Sequence, residues 1–132
     1  MNHLYIQTAF LGDLLLSIPT LKQIRYWSPQ SSISLVCRKG LGSLMTALGV
    51  CDDVIEVDKA NKAGLGKQLK SRSFHTVFCP HQSFSSHKLA SEISAQCKLG
   101  YRRTWNASYF DKTVNRRLDW PEAIRQLSLI HI

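Results

Sequence analysis

The sequence predicts an α/β fold in which helices flank a mostly parallel sheet. Short apolar segments alternate along the chain with amphipathic segments of helical length, and this alternation is typical of βαβ units. Crossovers between parallel strands are almost always right-handed, so the handedness of the connections follows. The 132 residues, 44% of them hydrophobic and 20% charged, suffice for one globular domain with a core.

Five strands and five helices are expected, in alternating order. The strands are the apolar runs at residues 4–7, 32–37, 54–57, 76–79 and 98–101. The helices, in which apolar side chains recur at helical spacing, are residues 13–27, 39–49, 61–73, 85–97 and 120–127. Residues 101–117 are rich in arginine, asparagine, threonine and aromatic side chains, so they form either a binding loop or a partly disordered connection.

The chain carries an excess of positive charge. It has 17 lysines and arginines against 9 acidic residues, which gives a formal net charge of +8. Such an excess favours an anionic partner: nucleic acid, an anionic membrane surface or a phosphorylated small molecule. A solvated basic surface is the alternative.

The four cysteines indicate a reducing compartment. None is spaced as C-x-x-C, and two lie in apolar runs, where a thiol behaves as a small buried hydrophobe. All four are therefore interpreted as reduced and structural, which suits the cytoplasm. The sequence shows neither a signal-peptide pattern nor an apolar run of the ~18 residues that span a bilayer.

The last six residues, LSLIHI, match the translation of the mosaic-end adapter of transposase-based sequencing libraries. We interpret residues 127–132 as adapter translation and residues 1–126 as the domain, since such scars are excluded from fold reasoning. A native helix end is the alternative, because RQLSL is plausible helix sequence.

A lone carboxylate lies in the turn after the first predicted strand. In the stretch TAFLGDLLLSIP, Gly12 allows a tight turn and a close approach of the backbone to a ligand. Asp13 follows at the start of a helix, and open α/β sheets bind ligands at such strand-to-helix turns. Asp13 is either a catalyst or a residue that stabilises the helix N-terminus.

A second polar turn follows the fourth predicted strand. In a parallel sheet it lies at the same edge as the segment from Thr8 to Asp13, so both turns can face one cleft. Its hydroxyls, imidazoles and ammonium group suit a phosphate or a sugar carboxylate, and they belong to His81, Ser83, Ser85, His87 and Lys88. Alternatively, the histidines are ordinary polar residues of a loop, and the serines are N-caps of the following helix.

Paired arginines complete the candidate residues. Arg102 and Arg103 follow the last predicted strand, and such a pair can bind phosphate bidentately. Alternatively, both side chains face the solvent. Arg116 and Arg117 form a second pair, for which the same interpretation is weaker. The sequence contains no P-loop, dinucleotide fingerprint, nucleophile elbow or metal-ligand cluster.

The ordered motifs resemble glycosyltransferase family 9, the ADP-heptose:lipopolysaccharide heptosyltransferases. The resemblance rests on the opening IQTAFLGDLLLSIPTLKQIRYWSPQSSISLV and on the later segments CDDVIEVDK, FHTVFCPHQSFSSHKLA and KLGYRR, and it spans residues 1–127. The family often has a basic residue in the turn after the fourth strand. This chain has Gln82 and Ser85 there, and Lys88 or His87 would substitute.

The resemblance implies a GT-B architecture of two Rossmann-like domains, of which only the N-terminal, acceptor-binding one is present. Asp13 then matches the family's proposed general base, and Thr8, Gly12 and the polar and basic residues of the later turns would contact the acceptor. The acceptor is the lipopolysaccharide inner core, and the donor is ADP-heptose, bound by the missing domain. The implied transfer is inverting and needs neither metal nor cofactor, and the implied location is cytoplasmic, either free or peripheral at the inner membrane.

Two other classes stay open. The first is a basic nucleic-acid-binding α/β domain, but the basic residues are dispersed and no recognition helix is visible, so no nucleic-acid partner is expected. The second is another Rossmann-like sugar-nucleotide enzyme, although the Gly-rich first turn of that class is missing.

Overall fold

A six-stranded parallel sheet forms the centre of the protein. The structure is a computed structural model, and it describes residues 1–58, 60, 62–81, 83–101 and 110–131. The strands are β1 (Asn2–Ile6), β2 (Ser32–Arg38), β3 (Asp53–Val57), β4 (Ser73–Cys79), β5 (Ser94–Tyr101) and β6 (Lys112–Val114). Their spatial order is β3-β2-β1-β4-β5-β6 with every pair parallel, so the predicted α/β, Rossmann-like fold is confirmed.

Helices connect the strands and cover both faces of the sheet. They are α1 (Leu11–Leu15), α2 (Ile18–Trp27), α3 (Gly42–Leu48), α4 (Lys62–Lys70), α5 (Phe84–Glu92) and α6 (Glu122–Leu127), followed by a 3₁₀ turn at Ser128–His131. Both faces of β1 are buried, as expected of a central parallel strand. Leu4 and Ile6 pack towards α4 and α5, whereas Tyr5 packs towards α2 and α3.

The helix predicted over residues 13–27 is two helices. Pro19 has no N–H, and its ring would clash with the carbonyl of Leu15 in a continuous helix. The chain therefore tightens at the end of α1, where the Ser17 N–H donates to the Leu14 carbonyl over 3.0 Å, and α2 begins at Ile18. Asp13 therefore lies in a short helix, α1, that is separate from α2.

The boundary between α5 and β5 also differs from the prediction. The helix predicted over residues 85–97 ends at Glu92, and Cys97 lies within β5, which starts at Ser94. Pairing with β4 from Ser73↔Ser94 to Cys79↔Gly100 outweighs the weak helix preference of this segment. The three-residue edge strand β6 was not predicted, because so short a segment carries no readable alternation.

The last residues pack against the sheet. Leu129 is fully buried in the same cluster as Tyr5 and Ile24, and the Tyr5 hydroxyl donates to Gln126 Oε1 over 2.6 Å. The C-terminal segment therefore covers one face of β1. The interpretation of residues 127–132 as adapter translation stays a prediction.

The cysteines are free, as expected. Cys37 and Cys79 are buried, and burial raises the pKa of the Cys37 thiol to about 11. Within the described residues, no helix combines the length and apolar character that crossing a bilayer requires.

We expect Leu129→Ala to destabilise the protein by about 2–5 kcal/mol, the usual cost of emptying a fully buried leucine site. Chemical denaturation measures the change in the free energy of unfolding. Leu118→Ala is the matched control, since Leu118 is 75% exposed. A change no larger than that of the control would mean that the C-terminal segment contributes no native packing.

We expect the stability to fall as the pH drops below 6.5, the ordinary pKa of histidine, partly because of His3. Burial lowers the pKa of His3, and His75 and the terminal amine lower it further, so the unfolded chain binds the proton more readily than the folded one. Between about pH 7.5 and about pH 5.5, the melting temperature of His3→Phe should therefore fall by less than that of the wild type. Equal losses would show that His3 makes no contribution.

Candidate active site

The register of the three central strands determines which side chains meet at the carboxyl edge of the sheet. Tyr5 of β1 lies level with Leu35 of β2 and Phe78 of β4. Three residues beyond this row, the three segments carry Thr8, Arg38 and His81. These segments flank the point between β1 and β4 where the connections reverse direction, which is where open α/β sheets bind ligands.

The turns after β1 and β4 are joined by a cluster of hydroxyls around one imidazole. The Thr8 hydroxyl lies 2.8 Å from His81 Nδ1 and 2.8 Å from the Ser86 hydroxyl. Ser86 Oγ lies 3.0 Å from the same imidazole nitrogen, and Ser83 Oγ lies 3.3 Å from it. The structure thus brings the two predicted turns together. Ser83 is also the N-cap of α5, accepting a hydrogen bond from the Ser86 N–H over 3.1 Å.

Two cavities adjoin this cluster and share His81 and Ser83 in their linings. The larger, of about 470 Å³, also includes Thr8 and Ser85 together with the charged side chains of Arg38, Lys39 and Asp58. The smaller, of about 220 Å³, includes Asp13 and two further charged residues, Arg116 and Glu122. The larger cavity falls within the size range of small-molecule sites.

Asp13 is exposed in the first turn of α1 and faces the smaller cavity. Its backbone is held in place because Ser17 Oγ donates to the Asp13 carbonyl over 3.3 Å, and Gln7 Nε2 donates to Ser17 Oγ over 3.4 Å. Phe10, at the N-cap, makes no capping hydrogen bond through its side chain. Within the described part of the chain, no side chain binds the Asp13 carboxylate, so its oxygens are available to a ligand.

Glu122, across the smaller cavity, is in contrast fully engaged. Arg116 lies 3.3 Å and Arg125 lies 2.8 Å from Glu122 Oε2, and Gln126 Nε2 donates to Glu122 Oε1 over 3.2 Å. Gln126 in turn accepts from the Tyr5 hydroxyl, which stays protonated because burial raises its pKa. This network fixes α6 against β1 and leaves Asp13 as the unpaired carboxylate of the smaller cavity among the described residues.

Gly12 corrects one sequence-based prediction. It was expected to make a tight turn, but it lies inside α1 and its φ is not positive. A Cβ added there would meet no atom within 4 Å. The turn is made instead by the residues before Leu11, of which Phe10 is extended.

Two further predicted residues, His87 and Lys88, do not line either cavity. His87 is fully buried under α5, with its ring edge-on to Phe110 at 4.9 Å, and Lys88 is exposed but lines neither cavity. Arg102, Arg103 and Gln82 lie outside the described residues. A fully buried His87 offers no surface to an acceptor in this conformation.

Sequence reasoning missed the charged residues at the carboxyl ends of β2 and β3. Arg38 and Lys39 directly follow the predicted second strand, and Asp58 directly follows the third. The rule applied to β1 and β4, that side chains after a parallel strand reach the binding edge, would have found them. No sequence pattern indicated Glu122, because α6 reaches the site only through tertiary packing.

The fold is shared with solved glycosyltransferases. Over 98% of this chain, it superposes on E. coli heptosyltransferase WaaC with ADP at a TM-score of 0.85 and 17% identity. The same share superposes on a glycosyl transferase family 9 structure from Veillonella parvula (TM-score 0.88, 19% identity) and on E. coli ADP-heptose LPS heptosyltransferase II (TM-score 0.81, 19% identity).

The chain spans 46% of the WaaC structure and 40% of each of the other two. A WaaC structure with ADP-2-deoxy-2-fluoro heptose matches equally, over 47% of its length and at 17% identity. At these identities the likeness establishes the fold. No protein-family model and no curated protein matches the sequence.

Proposed function

We propose that this chain is the acceptor-binding half of a glycosyltransferase that transfers heptose from ADP-heptose to the inner core of lipopolysaccharide. The observation that carries the proposal is the Asp13 carboxylate, which faces a cavity beside the β1–β4 switch point without a protein hydrogen-bond donor among the described residues. The shared fold with heptosyltransferases supports the choice of donor, since solved relatives contain ADP or an ADP-heptose analogue.

In the proposed reaction, Asp13 is the general base. An acceptor hydroxyl in the smaller cavity donates its hydrogen bond to the carboxylate and attacks the anomeric carbon of the heptose. The new C–O bond forms as the bond from that carbon to the diphosphate breaks, ADP leaves with the bonding electrons, and the hydroxyl proton passes to Asp13. Attack from the face opposite the leaving group inverts the anomeric configuration.

The fixed position of Asp13 suits this role. The Ser17 and Gln7 hydrogen bonds hold the backbone of α1 against the end of β1, so the position from which the Asp13 side chain projects is fixed before the acceptor arrives. A cap that stabilises a helix by accepting backbone N–H groups would have its oxygens occupied by its own helix. The Asp13 side chain makes no such bond with the described residues, which supports catalysis over capping.

The donor would be bound by the half of the protein that this chain lacks. The matched structures are more than twice as long as this chain, and we propose that the second Rossmann-like domain of a GT-B enzyme closes over the carboxyl edge of the sheet. The leaving diphosphate would then be stabilised by that domain, whereas the residues described here bind and deprotonate the acceptor.

We expect Asp13→Asn in the full-length protein to lower kcat by about 10²- to 10⁴-fold, the usual cost of losing a general base. The KM for the acceptor should change little, because proton acceptance stabilises the transition state and not the bound substrate. Steady-state assays with ADP-heptose and a lipopolysaccharide-core acceptor measure both constants.

Asp119→Asn is the matched control for this variant, since it removes the same charge from an exposed carboxylate that lines neither cavity. Thermal melts confirm that both variants are folded. If Asp13→Asn is folded and its kcat is nearly normal, Asp13 is not the general base and only stabilises the helix. Salt-dependent binding of mixed nucleic acid without transferase activity would favour the nucleic-acid alternative.

We also expect residues 1–132 alone to transfer no heptose. Holding two substrates together can supply about 7–11 kcal/mol of the barrier, and this chain contributes only the acceptor side. The measurement is release of ADP from ADP-heptose in the presence of acceptor, with the full-length protein as the positive control. Turnover by the isolated chain above the uncatalysed rate would contradict the division of the site between two halves.

A further inference from the structure

The proposed chemistry at Asp13 occupies the smaller cavity and leaves the larger one without a role. The larger cavity is more than twice the size of the smaller one, and the two share His81 and Ser83 as a wall. A single acceptor molecule that reaches over this wall would have one part beside Asp13 and another part in the larger cavity. The side chains of the larger cavity therefore indicate what that second part is.

Arg38 is held in position at this cavity by an aromatic ring. Its guanidinium lies over the ring of Phe10 at 4.1 Å from the centroid, although both side chains are exposed. Stacking orients the planar guanidinium and leaves its N–H groups at the edge of the plane free to donate. Less side-chain entropy is then lost when a ligand binds than for a freely moving arginine.

Within the described residues, the charge of Arg38 is not balanced by a carboxylate. Lys39, the other cation of the lining, lies 3.4 Å from Asp58 and is paired with it. Among the described residues, no acidic side chain forms an ion pair with Arg38. The described lining thus presents one uncompensated positive charge, on a group whose fork of donors matches a carboxylate or a phosphate.

Hydroxyl groups also contribute to the lining of this cavity. Thr8, Ser85 and Ser86 line the same cavity, and the Thr8 and Ser86 hydroxyls are already oriented by their contacts with His81. Hydroxyls with fixed positions can donate to the remaining oxygens of an anion or to the hydroxyls of a sugar. A guanidinium and several hydroxyls in the lining of one cavity describe a site for an acidic or phosphorylated sugar.

We propose that Arg38, oriented by Phe10, binds a carboxylate or phosphate group of the acceptor in the larger cavity, while the reacting hydroxyl lies beside Asp13 in the smaller one. This assignment rests on the proposed function for the identity of the acceptor. The anion site itself rests only on the stacking of Arg38 on Phe10 and on the hydroxyl groups that line the same cavity.

The first test measures anion binding without turnover. The full-length wild-type protein is titrated with inorganic phosphate and, separately, with acetate, at an ionic strength kept constant with sodium chloride. One of the two anions should raise the melting temperature saturably, by mass action on the folded state. The anion that does so identifies the group as phosphate or carboxylate.

Arg38→Ala should abolish this rise. The matched control is Lys22→Ala, which removes one positive charge from an exposed position on α2 that lines neither cavity, and it should keep the rise. Arg38→Lys should retain part of it, because the charge stays but the planar fork is lost. No saturable rise in the wild type, or an equal rise in Arg38→Ala, would overturn the proposal.

The second test measures transfer. Arg38→Ala should raise the KM for the acceptor by about 10- to 100-fold, the usual range for losing hydrogen bonds to a charged group, with kcat nearly unchanged. Phe10→Leu should raise the KM by about 2- to 5-fold, since it removes only the stacking. An active enzyme whose acceptor KM is unaffected by Arg38→Ala would refute the anion site while leaving the proposed function intact. If the wild-type protein binds the anion but transfers no heptose, and Arg38→Ala loses the anion binding, the anion site is supported and the proposed function is refuted.

Discussion

The parallel pairing of β1 with β2 on one side and with β4 on the other is the constraint on which the site depends. Because Tyr5 lies level with Leu35 and Phe78, the three segments leave the sheet at the same height. A shift of one residue in either pairing would turn every side chain of that strand to the opposite face. Since both faces are buried, such a shift is strongly disfavoured, and the contact of Thr8 with His81 follows from the packing of the core.

The position of Asp13 depends on a second constraint, which is the proline in α2. Pro19 separates α1 from α2, so α1 is too short to be stable by itself and is held by tertiary contacts. Ser17, at the break, is fully buried and connects Asp13 to Gln7 at the end of β1. The interruption of the helix therefore provides the hydrogen bonds that fix the backbone of Asp13 beside the cavity.

The fold and one wall of the site were predictable because both follow from local pattern. Apolar runs and helical spacing located the central strands, and the rule for parallel strand ends located Thr8, Asp13, His81 and Ser83. Features set by tertiary contacts were not readable: the extension of β5 over Cys97 requires its partner β4, and Glu122 reaches the site only through the packing of α6. His87 was misread because its neighbours on α5 do not reveal which face of the helix is buried.

The division of the cleft into two cavities has an electrostatic consequence for the proposed reaction. An anionic group of the acceptor placed directly beside Asp13 would be repelled by the Asp13 carboxylate. With the anionic group held by Arg38 in the larger cavity, the two negative charges would lie in different cavities, whose described linings share only His81 and Ser83. A neutral acceptor hydroxyl can then reach Asp13 while the charge of the same molecule is neutralised by the guanidinium. Binding strength and proton transfer are thereby assigned to different residues, so each can be altered without the other.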